Sequence, residues 1–451
     1  MTQRDFEKFE IVHPHAAGID IGSKFHQVSA GEGAIDQCRF GVMTEDLHAI
    51  AEFLKDRGVT SVAMESTGYY WKNLFLLLQD YGFEVYLVNA RQTRNVTGKK
   101  TDKIDANWIR KLHSCGFLTA SFQPDAFSEE MRTYTRHRKK LIRSQGSYMQ
   151  RMEKALILMN IQVSTVISSL SGKSGLRIVE AIIAGNRDAE SMVDLLDPRI
   201  RAPREVLLKS LKGIWREDNI FELKQSYELY EFIWEKIREC DQKIEALLKA
   251  EAQRREMEDG EERSRRKAAN PKPGGKNDPQ FDLFSSFFQL SGVDISEIEG
   301  VGKGLTMTII AEVGTDLQKK FPSANHFASW LGLAPNNKIS GGKILSSKTP
   351  KNTNHLRQAF RDAAQSIGRL KKDSSLKLFF KRIEKRRGRA RAITATARKL
   401  AVVVYNMITK QERYMPESAE KHLERVQAQA IAKVQRIINT MGIHQKDIIF
   451  S

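Results

Sequence analysis

Asp20 lies inside an otherwise apolar stretch, AAGIDIGSKFHQVSAG, spanning residues 16–31. Aspartate is depleted in strands, and a carboxylate buried there is costly unless it is paired or bound to a metal. Asp20 therefore either caps a hairpin turn or serves as a ligand, and the second use requires other carboxylates nearby. Three are candidates. Glu65 ends the β-rich run at residues 59–64, and Asp102 and Asp105 stand three apart in KKTDKIDANWIRK. At that spacing both fall on one helical face, although alone they read as acids complementing a helix N-terminus. Brought together, four hard oxygen donors suit Mg²⁺ rather than zinc.

Other residues invite chemical readings with less support. Ser340-Gly341-Gly342-Lys343 sets a hydroxyl in a flexible, electropositive loop. No His or Asp triad pattern accompanies it, so from spacing alone it reads as a Ser-Gly loop. Ser171-Gly172-Lys173-Ser174 suggests a phosphate loop, but the GxxxxGK[ST] spacing and a preceding strand are missing. It reads as a loop opening a helix. Residues 298–304, IEGVGKG, resemble half of a helix-hairpin-helix, whose glycine amides approach a phosphate. A plain turn between core helices fits equally well.

The elements that must position the acids follow from patterning. Residues 16–31 read as a hairpin and residues 34–42 as a third strand. A helix then opens at residues 44–46, with Thr44 as its N-cap. A strand to Glu65, a helix over 69–81, a strand over 83–88 and a helix through Ala106 and Ile109 complete the region. An antiparallel meander followed by alternating helices and strands is the order of the α/β ribonuclease-H-like fold. In that fold the first strand, the fourth strand and a later helix converge on one sheet edge. Asp20, Glu65, Asp102 and Asp105 would then hold two Mg²⁺ ions for phosphodiester displacement.

The remainder is helical and basic. Residues 131–160 form a long helix with Arg136, Arg138, Lys139, Lys140 and Arg143 on one side. Residues 219–255 carry near-heptad apolar positions, as in a coiled-coil or helical-hairpin arm, with packing inside one globular domain as the other reading. Residues 256–280 are charged and then rich in Pro and Gly, which predicts a mobile linker. Helices are predicted over 352–363, 391–407 and 417–438, and KRIEKRRGRAR at 381–391 is densely positive. The plan is an acid-bearing domain at 12–123, a helical and coiled-coil arm at 124–255, and a linker at 256–280. A mainly α domain with the serine loop follows at 281–410, and a helical tail at 411–451.

The chain has 451 residues and a net charge of +18, which favours a polyanionic partner. Lys303, Lys343, Arg386, Arg387, Arg389 and Arg391, with the helical group above, are the candidate nucleic-acid contacts. No apolar run reaches the length of a membrane span, the N-terminus lacks an export signal, and three dispersed cysteines read as reduced thiols. Cytoplasmic, nucleoid-associated residence is expected.

Several of these motifs agree with one family. AAGIDIGSKFHQV, AMESTGYYW and GKKTDKIDA resemble the RuvC-like DEDD domain of insertion-sequence 110 family transposases. IEGVGKGLTMTIIAEVG, LGLAPNNKISGGK and NHLRQAFRDAA resemble that family's C-terminal transposase domain. The resemblance implies that Asp20, Glu65, Asp102 and Asp105 bind Mg²⁺ and that Ser340 forms a covalent link to DNA, with Ser346 and Ser347 close enough to need testing. It further implies a dimer or tetramer in which the acids of one subunit act with the serine of another. A structured bridge RNA pairing with donor and target DNA is also implied. Two competing readings are a Holliday-junction-type endonuclease using only the acids, and a non-catalytic nucleic-acid-binding scaffold.

Overall fold

The structure, a computed structural model, describes residues 9–66, 68–93, 102–269, 274–350, 353–415 and 419–441. The chain forms two compact units, Met1–Gln123 and Pro124–Ser451.

The first unit is built on a five-stranded mixed sheet. Its strands are β1 (Ala16–Ile21), β2 (His26–Ser29), β3 (Gln37–Phe40), β4 (Ser61–Glu65) and β5 (Glu84–Val88), in spatial order β3-β2-β1-β4-β5. The meander β1–β2–β3 is antiparallel, whereas β4 and β5 run parallel to β1. The parallel pairs need crossovers, and α1 (Thr44–Asp56) and α2 (Trp71–Asp80) supply them. Met43, not Thr44, is the N-cap residue, and Asp46 accepts the Met43 amide at 2.9 Å. The third strand is shorter than the sequence pattern implied, because a 3₁₀ turn occupies Ala34–Asp36.

Alternation along β1 and β4 separates two cores. Ala17, Ile19, Ile21, Val62 and Met64 pack with Ile50, Leu54, Leu74 and Leu78 of α1 and α2. Ala63 on the opposite face packs with Ile109 and Leu112, which belong to α4 (Asp102–Ser114). A short helix, α3 (Ala90–Thr93), follows β5.

The second unit is mostly helical. Its spine is two long helices, α5 (Ala126–Leu158) and, after the small helices α6 (Lys173–Ile183), α7 (Ala189–Val193) and α8 (Arg204–Leu211), α9 (Glu217–Asp259). Gly172 caps α6, so the serine- and lysine-bearing loop opens a helix. Early α5 meets late α9 through Arg138 and Asp241, while Met152 and Leu156 share a core with Ile220 and Leu223. The two helices are therefore antiparallel neighbours, and the apolar stripe of α9 is used against α5 and α6–α8.

Further helices complete the unit: α10 (Leu283–Ser291), α11 (Lys303–Val313), α12 (Leu317–Lys320), α13 (Ala324–Trp330), α14 (His355–Arg369), α15 (Ser375–Arg387), α16 (Arg389–Lys410) and α17 (Ala419–Met441). A hairpin of β6 (Lys338–Ser340) and β7 (Lys343–Ser346) lies between α13 and α14. The mobile linker expected at 256–280 is not a free tether over its described residues. Residues 256–259 are helical. The amides of Ala268 and Ala269 donate to Ser285 and Asp294, and Arg138 donates to the Asn277 carbonyl at 3.0 Å. A Pro- and Gly-rich composition permits disorder, but polar groups elsewhere in the unit take up the backbone groups of Ala268, Ala269 and Asn277.

Candidate active site

The position of the acids in the first unit follows from how α4 crosses the sheet. His113, near its C-terminal end, bonds through Nε2 to Ser61 Oγ at 2.7 Å, at the start of β4. Asn107 Oδ1 lies 3.4 Å from Ser29 Oγ, and Ser29 pairs with Gly18 midway along β1. Helix α4 thus runs antiparallel to β1, and its N-terminal turn reaches the edge where β1 and β4 end. Asp20 and Glu65 sit at that edge. Counting by twos from Gly18 and Ala63, both lie on the face that α4 covers. Asp102 and Asp105 begin α4, and helical spacing sets Asp105 on the side of Ile109 and Leu112, which faces the sheet.

Close approach of α4 depends on Gly18. A Cβ there would lie 2.3 Å from both the Ala106 carbonyl oxygen and the Arg110 amide nitrogen. Only glycine lets helix backbone rest directly on the strand, two residues before Asp20.

Two residues at this edge carry no recognisable signal in the sequence. Thr93, on α3, donates from Oγ1 to Glu65 Oε2 at 2.7 Å. Its carbonyl accepts the Trp108 indole N–H of α4 at 3.0 Å. Thr93 therefore holds Glu65 and α4 in one arrangement. Gln27 lies directly opposite Asp20 and is 1% exposed. Its Nε2 donates to the Cys38 carbonyl at 3.1 Å, and its Oε1 has no partner among the described residues. A threonine ending a short helix and a glutamine in a strand are too common to stand out without the pairing register.

The donor chemistry fits a hard divalent cation: carboxylates from two strands and a helix start, with an orphaned, buried amide oxygen beside Asp20. Among the described residues, no three His, Cys, Asp or Glu side chains group closely enough to hold an ion. The side chain of Asp102 lies outside those described.

In the second unit, Ser340 is not in an irregular loop. It ends β6 and pairs with Lys343 across a two-residue turn, Gly341-Gly342. Both glycines have left-handed φ values, 55° and 72°, which a tight two-residue hairpin demands and which side chains resist. Ser340 and Lys343 are exposed and share a face, so an ammonium stands opposite the hydroxyl. Ser346 pairs with Lys338 at the far end of the hairpin, and Ser347 lies beyond β7.

The basic residues divide into two groups. Arg138 is 5% exposed and is held by Asp241 at 2.5 and 3.1 Å and by the Asn277 carbonyl. Its expected role as a nucleic-acid contact is corrected to a buried ion pair joining α5 and α9. Arg136 is turned to Glu312 of α11 at 2.9 and 3.0 Å. Lys303 donates to the carbonyls of Pro279 and Phe281 at 3.0 and 3.2 Å, so its ammonium is also engaged within the fold. Lys140, Arg143, Lys343, Arg386, Arg387, Arg389 and Arg391 are exposed, and Lys139 is half-buried. The last four arginines flank Gly388, the corner between α15 and α16.

Comparison with known families covers both units. A family model described as a transposase, of the DEDD IS110 type, matches residues 17–161. A second, described as transposase, IS116/IS110/IS902 family, matches residues 294–379. No curated protein matches the chain.

Proposed function

The chain belongs to the IS110 family of transposases, and from that premise we propose that it is an RNA-guided DNA recombinase using Ser340 as a covalent nucleophile. Its DNA-cutting and rejoining activity is that of the transposase family. The observation that best supports the finer reading is the single sheet edge shared by Asp20, Glu65 and the N-terminal turn of α4. In this reading the first unit is ribonuclease-H-like, and Asp20, Glu65, Asp102 and Asp105 hold Mg²⁺, two ions by the size of the donor set. Those ions would neutralise charge on the attacked phosphate and favour ionisation of the attacking hydroxyl.

Ser340 Oγ forms a bond to phosphorus as the bond from phosphorus to a deoxyribose oxygen breaks. The leaving oxygen takes up a proton in exchange for the one lost by serine. The phosphoserine ester conserves the phosphodiester energy, so the reverse attack by a deoxyribose hydroxyl rejoins strands without a nucleoside triphosphate. Lys343, across the turn, favours the serine alkoxide and the phosphate it approaches. Thr93 holds Glu65, and Gly18 holds α4 close to Asp20. In the proposed assembly the acids of one copy act with Ser340 of another. Exposed Phe221 and Phe232 on α9, and Ile431, Val434 and Ile437 at helical spacing on α17, offer apolar surface for such an oligomer. A structured RNA would select donor and target DNA by base pairing.

The test is a strand-cleavage assay run with denaturing gels that retain protein–DNA adducts. Ser340→Ala abolishes the adduct and recombination, and Asp20→Ala abolishes cleavage. If Ser340→Ala cleaves at the normal rate with water-derived ends, the acids act alone as an endonuclease. RNA recovered with the active protein, and loss of site choice when it is replaced, tests the guide.

A further inference from the structure

The hairpin that carries Ser340 has two chemically different faces, and both are open to solvent. Residues 338–345 are all exposed, and a two-stranded ribbon with both faces in water is marginal by itself. Its base is closed by the Asn336 amide, which donates to the Lys348 carbonyl at 3.2 Å. Ser340 pairs with Lys343 on one face. Ile339 pairs with Ile344 on the other, and the two are 62% and 63% exposed. The next pair is Lys338 with Ser346, which leaves Leu345 as the extra residue of a bulge, 70% exposed. Bulges break the simple alternation of side chains, and this one adds a third exposed aliphatic group beside Ile344. Aliphatic side chains stabilise a fold by leaving water, so these three do nothing for the unit that bears them.

The charge around the hairpin identifies what would cover it. No Asp or Glu occurs between Asp316 and Asp362, whereas six Lys and two Arg do. Lys338, Lys343 and Lys348, on or beside the hairpin, are exposed, and none has an ion pair or side-chain hydrogen bond among the described residues. A strand of nucleic acid offers both matching surfaces, phosphates for the ammonium groups and base faces for the aliphatic groups. One strand does not reach both. Ile339 and Ser340 are neighbours in β6 and point to opposite sides of the ribbon, so two faces of unlike chemistry call for two strands.

We propose that the hairpin is a strand-separating pin for DNA. It enters the duplex at the attacked step and takes the backbone of the strand to be cut on the face of Ser340 and Lys343. Ile339, Ile344 and Leu345 lie against an unpaired base of the complementary strand. Apolar side chains inserted at a base step unstack it, and the cost is least where pairing is already broken. The inference deepens the proposed function and rests on its reading that this hairpin meets DNA. It supplies the strand opening that pairing with a guide requires, and it does not depend on the identity of the nucleophile.

The test uses the full-length protein and two end-labelled DNAs of equal length, a blunt duplex and a fork with non-complementary arms, with affinity measured by anisotropy. The protein should bind the fork about tenfold more tightly than the blunt duplex. In a second fork, 2-aminopurine at the last base pair should brighten as that base unstacks. Ile339→Ser/Ile344→Ser should lose both effects while its unfolding midpoint and its affinity for the blunt duplex hold, because both side chains are exposed. Equal affinity of the unsubstituted protein for the two DNAs, or a fork preference that survives in the folded double variant, would overturn the proposal. So would a preference shown only for an RNA fork. A double variant that changes oligomeric state and keeps the fork preference would assign the apolar face to a second copy instead. Ser340→Ala should keep both effects, so a failed nucleophile assignment leaves the pin standing and the two failures are distinguishable.

Discussion

Gly18→Ala is the most informative single perturbation of the first unit. The added Cβ would meet Ala106 O and Arg110 N at 2.3 Å and Arg110 Cα at 2.9 Å, all of them α4 backbone. Ordinary van der Waals contact begins near 3.4 Å, so α4 must move out by about 1 Å. No side-chain rotation relieves the clash. Overpacking of this kind costs roughly 1–3 kcal/mol, which for a unit of this size lowers the unfolding midpoint by roughly 5–10 °C. The functional effect should be larger than the drop in stability. The same 1 Å moves Asp105 and the α4 N-terminus away from Asp20 and Glu65, and misplacement on that scale costs about 10²-fold in rate. The assay pairs calorimetry with single-turnover strand cleavage at a temperature where the variant is fully folded. Gly146→Ala, inside α5 where a Cβ meets nothing within 4 Å, is the control and should be neutral or stabilising. Near-wild-type cleavage by folded Gly18→Ala would refute the claim that the close seat of α4 on β1 positions the acids.

Other predictions concern each unit separately. His113 is buried, bonded to Ser61 and stacked on His13 at 4.5 Å, and burial, then the neighbouring His13, push its pKa down to about 4. The unfolded chain binds this proton first, so the stabilising contribution is complete above pH 6.5 and falls by up to roughly 1.4 kcal/mol per unit as pH drops toward 4. His113→Gln should flatten that part of the stability–pH curve, and an unchanged curve would contradict the assignment. Arg138→Ala should destabilise the second unit by about 3–5 kcal/mol by leaving Asp241 buried and unpaired. Arg138→Met with Asp241→Leu should recover most of it in denaturant unfolding; a drop in DNA affinity without destabilisation would instead restore Arg138 as a nucleic-acid ligand. Gly341→Ala/Gly342→Ala places side chains at two left-handed positions, at about 1–2 kcal/mol each. Because the hairpin is exposed, adduct formation should fall while the unfolding midpoint holds.

The sheet, and the edge shared by Asp20, Glu65 and the start of α4, are legible in the sequence because period-two patterning and turn residues are local signals. Asp20, Glu65, Asp102 and Asp105 stand out as chemically costly or oddly spaced. Thr93 and Gln27 do not, since their roles exist only once strand register and α3 bring them to Glu65 and Asp20. Charge is the least reliable guide. Arg138 and Lys303 look like their exposed neighbours in sequence, but long-range partners, Asp241 for one and linker carbonyls for the other, absorb their charge. Contacts at Asn277 and Pro279 likewise explain why the described residues of 256–280 are not a free tether. Ser340 reads as a loop residue because Gly-Gly breaks patterns; its strand pairing with Lys343 depends on both glycines adopting left-handed φ.

The central claim is that Ser340 itself becomes joined to DNA. Mass spectrometry of the trapped, protease-digested adduct reads this directly. The expected result is a nucleotide phosphate on the peptide containing Ser340 and no adduct in Asp20→Ala. Modification at Ser346 or Ser347, or cleaved DNA carrying no peptide at all, would contradict it.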